Sequence, residues 1–456
     1  MNFALLAATN TAMTFHRAHR VHTLLAAVAA LLLPLATLVA QTPAPATNYV
    51  LTVKTDRAAA LYQQGESITF TLALTLDQQP ARDAEVQWTI NKDGMPPVTN
   101  GRLKLENGSA TVVGKLDEPG FLLCRATFTT PDKRTLTALG GAGVDPTLIN
   151  PSLPVPEDFD AFWAAQKKSL AAIPSNARLT PVKSPIPDTD AFDLQADSVG
   201  APVSGYFAKP TAAKAKSLPI ILLVHGAGVR SSGLGSAANW AKSGFLALDI
   251  NAHGLPNGKP DAFYTALSNG DLKGYSTRGR ESRDTIYFHG MFLRLVRALD
   301  FLTAQPEWDG KIVVVHGSSQ GGAQAIVAAG LDSRVTFFAA GVPAMCDHTG
   351  VIAARVNGWP KFLPSPAAEK PDRKIVEAIR YYDAMNFATR TTAGAIFTVG
   401  FIDTVCPPTS VYAAYNNVTG KKSIHHDPAS GHTRTPQASA AMQAAIRAHV
   451  VEMKGK

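Results

Sequence analysis

One stretch of the chain limits its possible folds more than any other. Val313-Val314-Val315-His316 reads as a β-branched strand, Gly317-Ser318-Ser319-Gln320-Gly321 follows directly, and Gly322-Ala323 open a small-residue helix. The pattern is Gly-x-Ser-x-Gly centred on Ser319. A strand that turns into a helix this sharply holds its central residue in a strained backbone conformation, and glycines on either side keep the turn clear of the adjacent strands. The serine hydroxyl is thereby presented at the end of a strand. Ser318 is adjacent, lacks the Gly-x-Ser-x-Gly setting and points elsewhere.

The surrounding sequence supplies the sheet that such a turn needs. Leu218 to Val224, Phe245 to Ile250, Lys311 to Val315, Val335 to Ala340 and Ile396 to Val399 are short apolar runs. Between them lie segments with helical spacing, such as Thr285 to Thr303, where Phe292, Leu295, Val296, Leu299 and Leu302 share one stripe. This alternation predicts an α/β domain over 156–456, a mostly parallel sheet with helices on both faces. From Cys346 to about Asn386 the alternation breaks, and this segment, with Trp359, Phe362, Tyr381 and Tyr382, is expected to cap the site.

Upstream the period changes from helical to two. Ile68, Phe70, Leu72, Leu74 and Leu76 alternate with polar or small residues, as do Val86, Trp88 and Ile90, then Leu122, Cys124, Ala126 and Phe128. Turns at Gln64-Gly65, Lys92-Asp93-Gly94 and Asn107-Gly108 separate them, so 47–142 is expected to form a small β-sandwich of immunoglobulin-like type. A connector with Pro146, Pro151, Pro154 and Pro156 leads into Glu157-Asp158-Phe159-Asp160-Ala161-Phe162-Trp163, the expected start of a helix that buries its aromatic residues. Residues 1–40 read as a secretory signal: Arg17 and Arg20, then an uncharged run from Leu24 to Ala40. Translation starts at Met1 or at Met13. The expected location is therefore periplasmic or secreted, with no membrane association once the leader is removed.

Composition excludes other classes. With 46% hydrophobic and 17% charged residues the chain is no disordered polymer, and its net charge of +8 is scattered without any basic run, so no nucleic-acid partner is expected. Cys124, Cys346 and Cys406 lie too far apart for a CxxC pair.

A nucleophilic serine needs a base, and the base needs a carboxylate to orient it. In an α/β-hydrolase the order is serine, acid, histidine, each on a loop after a strand. Asp403 follows the run Ile396 to Val399, and His432 stands in Ser430-Gly431-His432-Thr433 before a final helix, so both fit. His425 and His426 compete for the base and Asp427 for the acid. Leu223-Val224-His225-Gly226-Ala227-Gly228 ends an earlier strand, and the backbone amides of Ala227 and Gln320 are the expected oxyanion donors. Trp359 and His225 are candidate substrate-binding residues. This set requires no cofactor, and His425-His426-Asp427, lacking a third spaced ligand, is not read as a metal site.

With Val342-Pro343-Ala344-Met345-Cys346-Asp347, Asp403-Thr404-Val405-Cys406-Pro407-Pro408, Gly431-His432 and the elbow in view, the chain resembles the acetyl xylan esterase and cephalosporin C deacetylase family over about Pro156 to Val450. The resemblance implies a serine esterase acting on acetylated carbohydrate, with Ser319 as nucleophile, Asp403 as acid, His432 as base and the Ala227 and Gln320 amides as oxyanion hole. The sequence departs from the family pattern at Asn251-Ala252-His253, where Arg-Gly-Gln is usual, at Thr433 in place of glutamate, at Ala227 in place of tyrosine, and in its extra β-module. An oligomer is compatible with these features, which assign none. The expectation is an exported acetyl esterase; a prolyl oligopeptidase-type peptidase and a non-catalytic glycan-binding scaffold are the alternatives.

Overall fold

Period-two alternation from Tyr49 onward builds two sheets that face each other. The computed structural model describes residues 48–364 and 370–455; the leader read over 1–40 lies outside the described residues. One sheet joins Tyr49–Thr55, Ser67–Leu76, Gln79–Pro80 and Ser109–Lys115, and the other joins Leu61–Tyr62, Thr135–Val144, Gly120–Thr129, Glu85–Lys92 and Thr99–Lys104. Ile68, Phe70, Leu72, Leu74, Val86, Ile90, Leu122, Cys124 and Ala126 fill the space between them. Each is the inward member of an alternating pair, as the pleat requires. The last strand runs to Val144, two residues past the expected end.

The connector leads into the helix Phe159–Ala171, which buries Phe159, Phe162 and Trp163 as expected. Beyond it lies one nine-stranded sheet. Arg178–Val182, Thr189–Ala196 and Val203–Pro210 form an antiparallel edge. Val203–Pro210 then pairs antiparallel with Leu246–Ile250, and the strands Leu246–Ile250, Leu218–Val224, Trp308–Ser318, Phe337–Gly341, Gly394–Gly400 and Lys422–Asp427 run parallel in that spatial order. The antiparallel edge has no counterpart among the strands expected from apolar runs: Arg178–Val182 is exposed over four of its five residues, Thr189–Ala196 largely alternates in burial, and Val203–Pro210, although buried over its first six residues, interrupts its apolar side chains with Ser204 and Gly205.

Each central strand feeds two cores. Ile220, Leu222 and Val224 pack with Phe292, Leu295, Ile326 and Val411 on one face, while Ile221 and Leu223 pack with Ala237, Ala241, Met442 and Ile446 on the other. Burial on both faces is why these strands read as unbroken apolar runs. Among the described residues no helix is long and apolar enough to cross a membrane.

The sandwich and the sheet domain share a packed boundary. Phe121 of the sandwich lies with its ring 5.1 Å from Phe401 and 5.7 Å from Tyr412. Asp93, at a sandwich turn, accepts hydrogen bonds from the Phe121 amide at 2.8 Å and from the Thr409 hydroxyl, and its own carbonyl accepts the Val356 amide at 3.0 Å. Burial pushes its carboxyl up to about 6. The closest approach is at Gly141, where a Cβ would stand 2.3 Å from the Phe401 carbonyl oxygen. Gly141→Ala must therefore push the sandwich off the Phe401 backbone, at a cost of about 1–3 kcal/mol. Calorimetry should show a thermal midpoint lowered by several degrees; an unchanged midpoint would refute this docking.

Candidate active site

Ser319 stands between the strand Trp308–Ser318 and the helix Gln320–Leu331 with φ 58° and ψ −124°. A Cβ on Gly317 or Gly321 would lie 2.5 or 2.2 Å from the Val224 carbonyl oxygen, so the glycine spacing is a steric demand of the neighbouring strand. The strained residue is pinned from both sides: its amide donates to the Gly341 carbonyl at 2.8 Å and its carbonyl accepts the Ala344 amide at 3.0 Å. Ser318 packs against Gly341 instead, its Oγ only 2.5 Å from where a Cβ there would be.

The loops after Gly394–Gly400 and Lys422–Asp427 bring the other two groups. His432 Nε2 lies 2.9 Å from Ser319 Oγ, and His432 Nδ1 lies 2.8 Å from Asp403 Oδ2. The second carboxylate oxygen of Asp403 accepts the amides of Val405 at 2.8 Å and Cys406 at 2.9 Å. Three partners on its two oxygens fix the carboxylate and with it the imidazole. The rivals sit elsewhere. His426 Nε2 pairs with the Tyr412 hydroxyl at 2.6 Å, Asp427 accepts the Thr435 hydroxyl at 2.9 Å, and His425 stands beside Asp427 on the edge strand. Among the described residues no group of His, Cys, Asp and Glu is arranged to hold a metal ion.

Gln320 is the first residue of its helix and Ala227 lies in the loop after Leu218–Val224. Neither amide donates to another protein atom among the described residues, and a helix amino terminus favours negative charge. One hydroxyl ties the two positions together: Tyr275 donates to Gln320 Oε1 at 2.8 Å and accepts the Gly228 amide at 3.3 Å. Burial pushes this phenol up to about 12, so it remains protonated as the bridge requires. Tyr275→Phe should lower kcat about tenfold, the worth of one buried hydrogen bond, and leave KM little changed. Equal loss in KM, or none in kcat, would show that Tyr275 does not position these donors.

His225 requires a correction. Its Nε2 accepts the Ala252 amide at 3.0 Å and its Nδ1 lies 2.7 Å from the Gly226 carbonyl, which leaves no ring nitrogen for a substrate. Burial, with the nearby Arg230 charge, lowers its pKa to about 3, so the neutral ring acts as a strut that holds the oxyanion loop. Trp359 is half-buried, its ring 6.4 Å from Tyr275 and 6.1 Å from Phe288, and its amide donates to the Val405 carbonyl at 2.9 Å. It therefore links the oxyanion side to the acid loop. Phe362 and Tyr382 are fully buried, so these cap aromatics pack the cap rather than present a platform.

Sequence reasoning missed Tyr275 and the partners of Gly228. His253 reaches the Gly228 carbonyl with Nε2 at 3.2 Å and the Tyr287 hydroxyl with Nδ1 at 2.7 Å, while Asn251 donates to the Arg230 carbonyl at 2.6 Å. Asn251-Ala252-His253 stood out only as a departure from Arg-Gly-Gln. Its place just beyond the carboxyl end of Leu246–Ile250 was the usable signal. Tyr275 lies in a short 3₁₀ turn with no periodic pattern to mark it.

Comparison with known proteins identifies the family of the chain. The model of the family described as acetyl xylan esterase (AXE1) matches residues 149–449. The acetyl esterase Axe7A of Xylanibacter ruminicola is 34% identical over 398 residues, covering 86% of this chain and 88% of that protein. Among solved structures, the acetyl xylan esterase from Paenibacillus sp. R4 is 28% identical with a TM-score of 0.58, covering 66% of this chain and 98% of its own. Acetyl xylan esterase 1 from Thermoanaerobacterium sp. JW/SL YS485, 24% identical with a TM-score of 0.57 over 66% of this chain and 97% of its own, shares the fold. The chain belongs to the acetyl xylan esterase family, whose members are serine-type carboxylic ester hydrolases of α/β-hydrolase fold.

Proposed function

We propose that this protein is exported and removes acetyl groups from plant-type polysaccharide or oligosaccharide through a covalent acyl-enzyme. The observation that carries the reading is the unbroken relay from Ser319 Oγ through His432 to Asp403, with contacts of 2.9 and 2.8 Å. His432 Nε2 takes the proton as Ser319 Oγ attacks the acetyl carbonyl carbon, and the oxygen that gains charge faces the Ala227 and Gln320 amides. The bond to the sugar oxygen then breaks, and that oxygen takes the proton from His432. A water, deprotonated by the same ring, attacks the acetyl-serine, and acetate leaves as Ser319 Oγ takes the proton back from His432. Asp403 holds the neutral imidazole in the tautomer that accepts at Nε2 and stabilises the imidazolium each time it forms.

The sugar class follows from the family, whose relatives are acetyl xylan esterases and an acetyl esterase. Export follows from the leader pattern of residues 1–40. In this reading the sandwich is a separate module that buttresses the acid loop, and Trp359 forms part of the wall beside the acetyl group. Acetate release from acetylated xylan, other acetylated glycans and small acetyl esters tests the proposal, with an aminoacyl anilide as the peptidase control. Acetylated sugars are expected to react and the anilide not; turnover confined to long-chain esters or to the anilide would overturn the reading.

A further inference from the structure

A cleft of about 530 Å³ opens between the sandwich and the loop that carries Asp403, and the chemistry above leaves it unused. Its size falls within the roughly 300–1,000 Å³ of clefts that take small ligands. Asp403 and Thr404 form one wall, Lys361 lies on the same side, and Asp93 and Arg125 come from the sandwich. An imidazole and two hydrogen bonds separate the Asp403 wall from the nucleophile. The loop that lines the cleft is thus the loop that holds the base in place.

The polar groups of the cleft specify what it holds. Arg125 follows the buried Cys124 on the strand Gly120–Thr129 and turns outward, exposed, and no carboxylate pairs with it among the described residues. Lys361 is exposed and spends one donor on the Thr404 carbonyl at 3.2 Å. Neither carboxylate of the cleft is free to neutralise them, since Asp403 is held by His432 and two amides and Asp93 lies inside, 4% exposed. A guanidinium without a carboxylate partner and an ammonium lining the same cleft call for a carboxylate. A sugar that offers one is a uronic acid.

We propose that this cleft is a subsite for a uronic acid residue carried on the acetylated glycan, its carboxylate paired with Arg125 and Lys361. The inference rests on the acetyl-glycan reading above, and it gives the sandwich a share in substrate selection. The test compares two acetylated xylo-oligosaccharides that differ only in a single glucuronate side group. Wild-type kcat/KM should be about tenfold higher for the uronate-bearing chain, with the margin shrinking as salt rises, and Arg125→Glu should bring the ratio to one or below. Equal wild-type values for the two chains would overturn the subsite, as would a preference that survives Arg125→Glu. Wild-type acetate release from a small acetyl ester separates the two readings: release there without any oligosaccharide preference removes the subsite alone, whereas no release from any acetyl ester removes both.

Discussion

Ser319→Ala is expected to lower kcat/KM for an acetyl ester by about 10⁴-fold or more, because no other atom can form the acyl-enzyme. Ser318 cannot substitute for it, since its hydroxyl packs against Gly341 rather than toward His432. The variant should fold normally: its Cβ already exists in the parent, and the φ of 58° is held by the Gly341 and Ala344 hydrogen bonds rather than by the hydroxyl. Residual turnover should remain above the uncatalysed rate, because the Ala227 and Gln320 amides still face a developing oxyanion. Acetate release lowered by about 10⁴-fold or more with a retained thermal midpoint is the result that checks this. Near-normal turnover would mean that the nucleophile lies elsewhere.

Asp403→Asn should cost about as much, on the order of 10⁴-fold in kcat, although it changes neither size nor shape. The parent carboxylate accepts from His432 Nδ1 at 2.8 Å on one oxygen and from the Val405 and Cys406 amides on the other. The asparagine must place its NH₂ somewhere in this ring of donors. Set against the two amides it would oppose donor to donor, so it is driven toward His432 Nδ1, which must then accept. That moves the ring proton to Nε2, where it cannot take the serine proton. The loss should fall on kcat with KM little changed, since Asp403 touches no substrate in the proposed reaction. A variant with wild-type kcat would show that Asp403 does not set the tautomer, and Asp427, bonded to Thr435, would need to be tested in its place.

How far each feature could be read from the chain depends on whether a local or a distant interaction demands it. The elbow was legible because its constraint is local: Gly317 and Gly321 are required wherever a strand passes so directly into a helix beside a parallel neighbour. Asp403 and His432 were legible through order along the chain and through position after the strands Gly394–Gly400 and Lys422–Asp427. His225 was misjudged for the opposite reason. A histidine beside an oxyanion loop looks like a substrate contact until the Ala252 amide, from the loop after the adjacent parallel strand, is seen to occupy Nε2. Nothing near His225 in sequence carries that information.

The period of the apolar residues was enough to assign a two-sheet module before a parallel α/β domain, and the glycine pattern was enough to single out Ser319 as the proposed nucleophile, because both follow from sterics within a few residues. Burial of the central strands on both faces made them readable, while the antiparallel edge, whose strands carry no unbroken apolar run, went unread. Three-dimensional packing settled the rest. It brought Tyr275 between Gly228 and Gln320, set Gly141 against the Phe401 backbone, and left Arg125, Lys361 and Asp93 around one cleft. These groups come from separate segments of the chain, and each becomes meaningful only through a partner placed there by the closing of the sheet and the docking of the sandwich. Hydrogen bonds and close contacts act over a few ångströms of space, and distance along the chain does not measure that space.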